Sequence, residues 1–406
     1  LRGDFRCVAT GYRAPGRLSP TVRPRSLAVK FGVARGQEGW TGPAASSRFP
    51  ENANREAHAM PLQHVQFKAA AVQAAPIYLD LDATVAKTID LIGEAASNGA
   101  RLVAFPECWI PGHPLWTLLD SVGWGIQFVQ RYFDNAMTAT GAEMEAIQAA
   151  ARDNAIHVVF GYAERAGGSL YMGQAIIDET GTRLATRRKL RPTHVERTVF
   201  GEGDGSDLKV HDTAIGRLGA LNCWEHIQPL VKQAMFSQHE QVHVASWPTF
   251  ALNPDAAYAL GHDANMAASQ VYSLEGQCFT VATAAVFSEQ MSEILCDNPF
   301  KQAFMTPGGG AAMIYAPDGR PIAAPLPPDQ EGIVYADIDL GMIALAKAFA
   351  DPVGHYSRPD VLQLAFDPAP KRRVVGIEAD GPALVRPEAA PAPAPEPEGA
   401  ESAAAE

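Results

Sequence analysis

From Lys68 to Ala74 the chain is almost wholly apolar and Pro76 closes the run, which predicts a short buried strand. The period then lengthens. Leu81, Val85, Ile89, Ile92 and Ala96 fall at three- and four-residue spacings, the stripe of an amphipathic helix, with Asn98-Gly99 as its stop. Arg101 to Phe105 is the next strand and runs into Pro106-Glu107, and residues 142–154 repeat the helical spacing. Strands follow at 156–161, 175–177 and 183–187, the last two joined through Asp178-Glu179-Thr180-Gly181. A further buried strand, Arg217 to Asn222, stops abruptly at Cys223, and Ile227, Leu230, Val231, Ala234 and Met235 then predict a helix. Downstream, strands are expected at 241–246, 279–285, 311–315 and 332–338, with a long helix over 259–275 and an Asp318-Gly319 turn between the last two strands. Strands and helices alternate, yet several strand pairs have no helix between them. That predicts an α/β fold of mixed sheets with helices on their outer faces, a layered sandwich. A dinucleotide-binding fold does not fit, because Gln73-Ala74-Ala75-Pro76 stands where a glycine fingerprint would follow the first strand.

The two ends break this pattern. Residues 1–59 are rich in Arg, poor in acid and without sustained periodicity. They read either as a targeting segment or as a non-native extension ahead of Met60, and they lack the apolar stretch of a secretory signal. A convincing strand begins within a few residues of Met60, which favours the extension. Residues 60–365 are the expected core domain and 366–406 a C-terminal segment. From about Gly381 that segment turns Pro-, Ala- and Glu-rich with nothing to bury, so a disordered tail is expected. A formal net charge of -12, without a dense Lys/Arg cluster in the central region, argues against a nucleic-acid or anionic-membrane partner. No apolar run reaches the roughly 18 residues that a membrane span requires. Five cysteines, scattered and odd in number, fit a reducing and hence cytoplasmic location better than a disulfide framework.

Cys223, where a strand gives way to a helix, has two readings. It is a small buried hydrophobe, or a nucleophile whose thiolate is favoured by nearby N–H groups and positive charge. Glu107 ends a hydrophobic strand, where partial desolvation raises a carboxyl pKa toward that of a general base; the plain alternative is an N-cap or loop acid. Lys189 lies in the basic run Thr186 to Pro192, either a solvated strand end or part of a binding loop with Glu196-Arg197 and Gly201-Glu202-Gly203-Asp204-Gly205 close behind. The glycine-rich piece lacks the lysine-serine or lysine-threonine ending of a phosphate loop. His239 and His243 are four apart but straddle a predicted helix-to-strand boundary without a third ligand, so no metal is expected. A serine triad has no Gly-x-Ser-x-Gly anchor.

Phe105-Pro106-Glu107, Arg188-Lys189-Leu190-Arg191-Pro192-Thr193 and Leu221-Asn222-Cys223-Trp224-Glu225 resemble the three signature segments of the nitrilase superfamily, in order and with compatible spacing. The resemblance continues through Glu196-Arg197 with Gly201-Glu202-Gly203, through Val244 to Pro248 and through Gly354 to Asp360, and covers about residues 65–365. Cys-Trp-Glu-His at 223–226 and the long insert between Glu196 and Cys223 resemble true nitrilases rather than carbamoylases or aliphatic amidases. The resemblance implies a four-layer αββα sandwich, assembled through dimers into larger homo-oligomers that are often spiral. It also implies Cys223 as nucleophile, Glu107 as general base, Lys189 as a cationic partner that lowers the thiol pKa, and Glu196 as a supporting glutamate. The expected reaction converts a small organic nitrile to carboxylic acid and ammonia through a cysteine thioimidate and thioester, without metal or organic cofactor. An amidase or nitrile-hydrating relative that releases amide would share these residues. A non-enzymatic scaffold of the same fold would have no need of Glu107, Lys189 and Cys223 together. Trp224, with Trp109, Pro111, His113 and Trp116 facing it, is expected to form an aromatic substrate cleft. Some members of the family that favour bulky arylacetonitriles carry a smaller residue at the position of Trp224. Simple aromatic and short aliphatic nitriles are therefore the expected preference.

Overall fold

The computed structural model describes residues 64–371, with the backbone of 376–378 and 381–383. The expected extension over 1–59 lies outside the described residues. The strands are β1 (Gln66–Ala74), β2 (Ala100–Ala104), β3 (His157–Ala166), β4 (Ser169–Ile177), β5 (Arg183–Arg188) and β6 (Phe200–Gly201). They continue with β7 (His211–Thr213), β8 (Gly216–Asn222), β9 (Val242–Trp247), β10 (Phe279–Ala285), β11 (Met313–Tyr315) and β12 (Gly332–Asp339). The helices are α1 (Leu81–Ser97), α2 (Trp116–Leu119), α3 (Val122–Asp134), α4 (Ala142–Asp153) and α5 (Pro229–Phe236). After these come α6 (Pro254–Ala257), α7 (His262–Gly276), α8 (Glu289–Leu295), α9 (Pro299–Phe304) and α10 (Gly341–Phe349).

β1 is the hinge of the sheet system. It runs parallel to β2 on one edge and antiparallel to β12 on the other, then pairs at Gln73 and Ala74 with Ala284 and Ala285 of β10. One hydrogen-bonded network thereby opens into two sheets, β5-β4-β3-β2-β1-β12 and β7-β8-β9-β10-β11. Side chains alternate across a strand, so β1 serves two cores. Phe67, Ala69 and Ala71 face the second sheet and pack with Leu218, Ala220, Val242, Val244 and Val281. Ala70 and Val72 face outward, with Val85 and Ile92 of α1 and Ile147 and Ala151 of α4. On the far side of the second sheet, Leu221 packs with Val231, Ala234 and Met235 of α5 and Tyr272 of α7. Helix, sheet, sheet, helix is the expected αββα sandwich. Each fully buried Val or Leu in these layers contributes about 1.5–3 kcal/mol, so the inter-sheet core holds the strand ends rigidly in place.

Local signals act as read. The Asp80 side chain caps α1 by accepting from the Ala83 amide at 3.0 Å, and Asn98 closes it before Gly99 at φ +82°. The helix after Cys223 needs correction. A 3₁₀ turn occupies Cys223–Ile227 and α5 starts afresh at Pro229, so the five-residue stripe does not share one phase. Val231, Ala234 and Met235 turn inward, whereas Ile227 and Leu230 are 49% and 69% exposed. The sequence reading also missed α3, because apolar residues on both its faces (Phe128 and Tyr132 inward, Val122 and Ile126 outward) blur the stripe. A short ladder pairs Gly376–Glu378 with Gly381–Ala383, just where the tail was expected to begin.

Candidate active site

Glu107, Lys189 and Cys223 each follow the C-terminal end of a strand: β2, β5 and β8. The turn bearing Glu107 lies against β3, where the Gly161 amide donates to the Pro106 carbonyl at 3.2 Å. A Cβ at position 161 would stand 2.8 Å from Glu107 Cα, so only glycine admits this approach. The Lys189 amide donates to the Met172 carbonyl at 2.8 Å, and its own carbonyl accepts from Gly203 at 2.9 Å. A Cβ on Gly203 would press on the Arg188 carbonyl at 2.6 Å. The glycine-rich run therefore braces the Lys189 backbone, and it is the preceding residues Thr193 to Glu196 that reach the lining of the cysteine's cavity.

Lys189 is buried and donates to Glu107 Oε1 at 2.9 Å and to Glu196 Oε2 at 2.7 Å. Burial opposes its charge, but the two carboxylates outweigh burial and raise its pKa well above the ordinary lysine value. Burial raises Glu107 to about 7; Lys189 opposes the rise and Glu196 adds to it. Glu196 goes the other way, to about 2, because Lys189 and His113 overcome its desolvation. Its Oε2 also accepts from the Thr193 amide at 2.5 Å, and Oε1 lies 3.2 Å from His113 Nε2. Glu107, His113 and Glu196 bring ligand-type atoms within 4.8 Å of one another. The cation that both carboxylates already contact there is the lysine ammonium.

Cys223 opens the 3₁₀ turn at φ +47°, a left-handed conformation that costs a non-glycine residue roughly 1–3 kcal/mol. Burial and the Glu107 carboxylate push its thiol well above the ordinary value; Lys189 and the Trp224 amide pull it down but do not prevail. The expected effect of Lys189 is thus present in sign but outweighed by burial and the carboxylates.

The thiol lines a cavity of about 320 Å³ together with His113, Glu196, Trp224, Trp247 and Phe250. Trp224 is held there by its indole Nε1, which donates to Asn265 Oδ1 at 2.8 Å. Three expected wall residues are elsewhere: Pro111 is not part of the lining and its carbonyl accepts from the Leu79 amide at 3.0 Å. Trp109 is fully buried on the outer face of the first sheet and donates to Thr88 Oγ1 of α1 at 2.8 Å. Trp116 turns toward α3, stacking on Phe128 and meeting Tyr132 edge-on at 4.8 Å. Helical phase explains the last case: Leu115 and Leu118 face the cavity and Trp116 the opposite way.

A polar network behind the cavity had no role in the sequence reading. Buried Glu225 accepts from Arg187 Nη2 at 2.7 Å and from the amides of Leu190 and Asn222, both at 2.8 Å. Arg187 donates to Gln174, Gln174 to Ser246, and Ser246 to the Phe105 carbonyl at 2.9 Å. The residues before Glu107, after Lys189 and before Cys223 are thereby tied together. A single polar residue inside the apolar strand Leu170–Ile177, Gln174, was the available signal.

The carbon-nitrogen hydrolase family profile matches residues 68–348. A nitrilase of Pseudomonas syringae pv. syringae (strain B728a) is 51% identical over 80% of this chain and 98% of that protein. An aliphatic nitrilase of Rhodococcus rhodochrous is 54% identical over 74% and 82%. An arylacetone-specific nitrilase of Alcaligenes faecalis is 49% identical over 74% and 84%. Among solved structures, a carbon-nitrogen hydrolase from Helicobacter pylori G27 shares the fold with TM-score 0.59 at 19% identity, covering 73% of this chain and 97% of that one. The C. elegans NitFhit protein gives TM-score 0.59 at 19% identity, covering 78% and 71%. Built as an αββα sandwich and matched along most of its length, the chain belongs to the carbon-nitrogen hydrolase family, on its nitrilase branch.

Proposed function

We propose that this protein hydrolyses small organic nitriles to the carboxylic acid and ammonia through a covalent cysteine intermediate. The observation that carries the reading is a thiol on the wall of an apolar cavity, with a carboxyl of near-neutral pKa and a buried lysine in electrostatic reach. Cys223 Sγ attacks the nitrile carbon while its proton passes to Glu107, which delivers it to the nitrogen, giving a thioimidate. Lys189 stabilises the charge that grows on that nitrogen, and Glu196, a carboxylate throughout, keeps Lys189 charged and in place. Water adds to the thioimidate carbon, ammonia leaves and a thioester remains. A second water, deprotonated by Glu107, releases the acid and restores the thiol. The relatives named as nitrilases support this substrate class.

The hydrolase domain is residues 60–365, and the protein acts in the cytoplasm as a homo-oligomer built from dimers, of which a spiral is one form. Exposed Ile227 and Leu230, with Val271 and Leu274 of the adjoining α7, are apolar surface suited to a second copy. The deciding experiment incubates the protein with a panel of nitriles and their amides and quantifies ammonia, amide and acid separately. Acid with equimolar ammonia is expected from the nitriles, and none from Cys223→Ser. Amide as main product, or turnover by Cys223→Ser, would overturn the reading.

A further inference from the structure

Four buried polar side chains outside the cavity form a line that ends on the Cys223 backbone. Tyr272 OH donates to Glu240 Oε2 at 2.6 Å, Glu240 Oε1 lies 2.7 Å from His243 Nδ1, and His243 Nε2 lies 2.9 Å from His226 Nε2. His226 Nδ1 then meets the Cys223 carbonyl oxygen at 2.6 Å. All four are at most 2% exposed. We propose that Glu240, His243 and His226 are positioning residues, which hold the peptide of Cys223 in its left-handed conformation through the proton that this line carries. The proposal rests on Cys223 being the nucleophile.

Proton accounting gives the line a direction. A carbonyl oxygen only accepts, so His226 Nδ1 bears hydrogen. With that ring neutral, its Nε2 accepts from His243 Nε2–H, which leaves His243 Nδ1 as an acceptor and requires Glu240 to donate its carboxyl proton. Moving that proton onto either imidazole leaves the bond to Cys223 unchanged. Removing it does not. An ionised Glu240 accepts Nδ1–H from His243, and the two neutral rings then hold one proton too few for the remaining contacts: His226 either donates from Nε2 to His243 and turns its Nδ1 lone pair on the Cys223 oxygen, or keeps the Cys223 bond and sets its Nε2 lone pair against that of His243. Either way Cys223 is no longer held by an unbroken line of hydrogen bonds.

Burial favours the holding state: it raises Glu240 to about 8 against the opposing Tyr272 hydrogen bond, and it holds both histidines well below their ordinary value. Among the described residues, the other charged or titratable groups facing the line are Arg187 and Glu225, paired with each other at 2.7 Å, and Cys278. Loss of the proton above about pH 8 should therefore release Cys223 and lower kcat.

The test is the pH profile of kcat for nitrile hydrolysis in the parent, Glu240→Gln, Tyr272→Phe and His243→Leu, each checked for unchanged circular dichroism and oligomer size. The glutamine amide donates permanently to His243 while its carbonyl accepts from Tyr272, so the alkaline fall should disappear. Tyr272→Phe removes a bond that favours the carboxylate, so the fall should move to higher pH. His243→Leu should lose roughly 10²-fold in kcat with KM little changed, the cost of a misplaced nucleophile. A parent without an alkaline fall, or profiles of Glu240→Gln and Tyr272→Phe that superimpose on the parent's, would overturn the relay. Turnover by Cys223→Ser would instead overturn the nucleophile assignment on which it rests.

Discussion

Glu107 sits between two demands: burial and Glu196 raise its pKa, Lys189 lowers it, and the balance falls at about 7. As the proposed base it must be ionised to take the thiol proton, so kcat/KM should rise with pH through about 7 and fall roughly tenfold per unit below. A rate independent of pH between 5 and 8 would remove Glu107 from the first step. Glu107→Gln and Lys189→Ala should each cost orders of magnitude, and the double variant little more than either, because the two side chains share one contact at 2.9 Å. Trp224 bears on selectivity. It lines the cavity and is tethered to Asn265, so Trp224→Ala should shift the kcat/KM ratio from benzonitrile toward mandelonitrile. An unmoved ratio would mean that the indole does not limit substrate width. Its proposed partners Trp109 and Trp116 illustrate what adjacency in sequence conceals: residues one or two positions apart leave a strand end or helix in opposite directions.

Three strand ends meet at the site, and Glu225 with Arg187 joins them. Burial alone would raise the Glu225 pKa, but Arg187 and the two amides outweigh it and hold the carboxyl low. The stabilisation from this lowered pKa is present above the unfolded-state carboxyl value, about 4.3, and is lost as pH falls through the folded value. Arg187→Met should strand the buried carboxylate at a cost of about 3–5 kcal/mol. Thermal unfolding should show a lower Tm at neutral pH and a smaller loss on acidification than in the parent; an unchanged Tm would show that the amides alone suffice. The strands themselves were legible because apolar runs such as Lys68–Ala74 are buried on both faces. The interval after Cys223 was not, since a 3₁₀ turn resets the helical phase without leaving a mark in the spacing. Nor could residues 225 and 187, far apart in sequence, be paired by pattern alone.

At the scale of the whole molecule, the C-terminal segment reaches back toward the site. The Lys371 amide donates to Asp204 Oδ2 at 2.7 Å, and a side chain on Gly205 would collide with the Asp367 carbonyl. Those residues cover the turn whose Gly203 braces Lys189. Cutting before Gly354 should therefore reduce activity or assembly, whereas cutting after Ala383 should change neither, as read by rate per site and light scattering. Loss of rate from the shorter deletion would assign the tail a role that its composition does not suggest. The signature segments made Glu107, Lys189, Glu196 and Cys223 legible in one dimension. The Glu240–His243–His226 line was not, because nothing in the sequence joins its members until β9 and the 3₁₀ turn after β8 bring them together.

The charge balance of the buried cluster bears on how a reaction cycle ends. Lys189 carries one positive charge against Glu107 and Glu196, so with both acids ionised these three groups sum to minus one. A neutral nitrile enters such a chamber without electrostatic cost, but the acid made there ionises into a field of its own sign. Repulsion then drives the product out, and accumulated carboxylate should inhibit weakly at pH 8. At pH 6, where Glu107 at about 7 has largely regained its proton, the same three groups are close to neutral and the inhibition constant should be lower. An inhibition constant that does not change between these pH values would show that departure of the acid is governed by the apolar walls and not by charge.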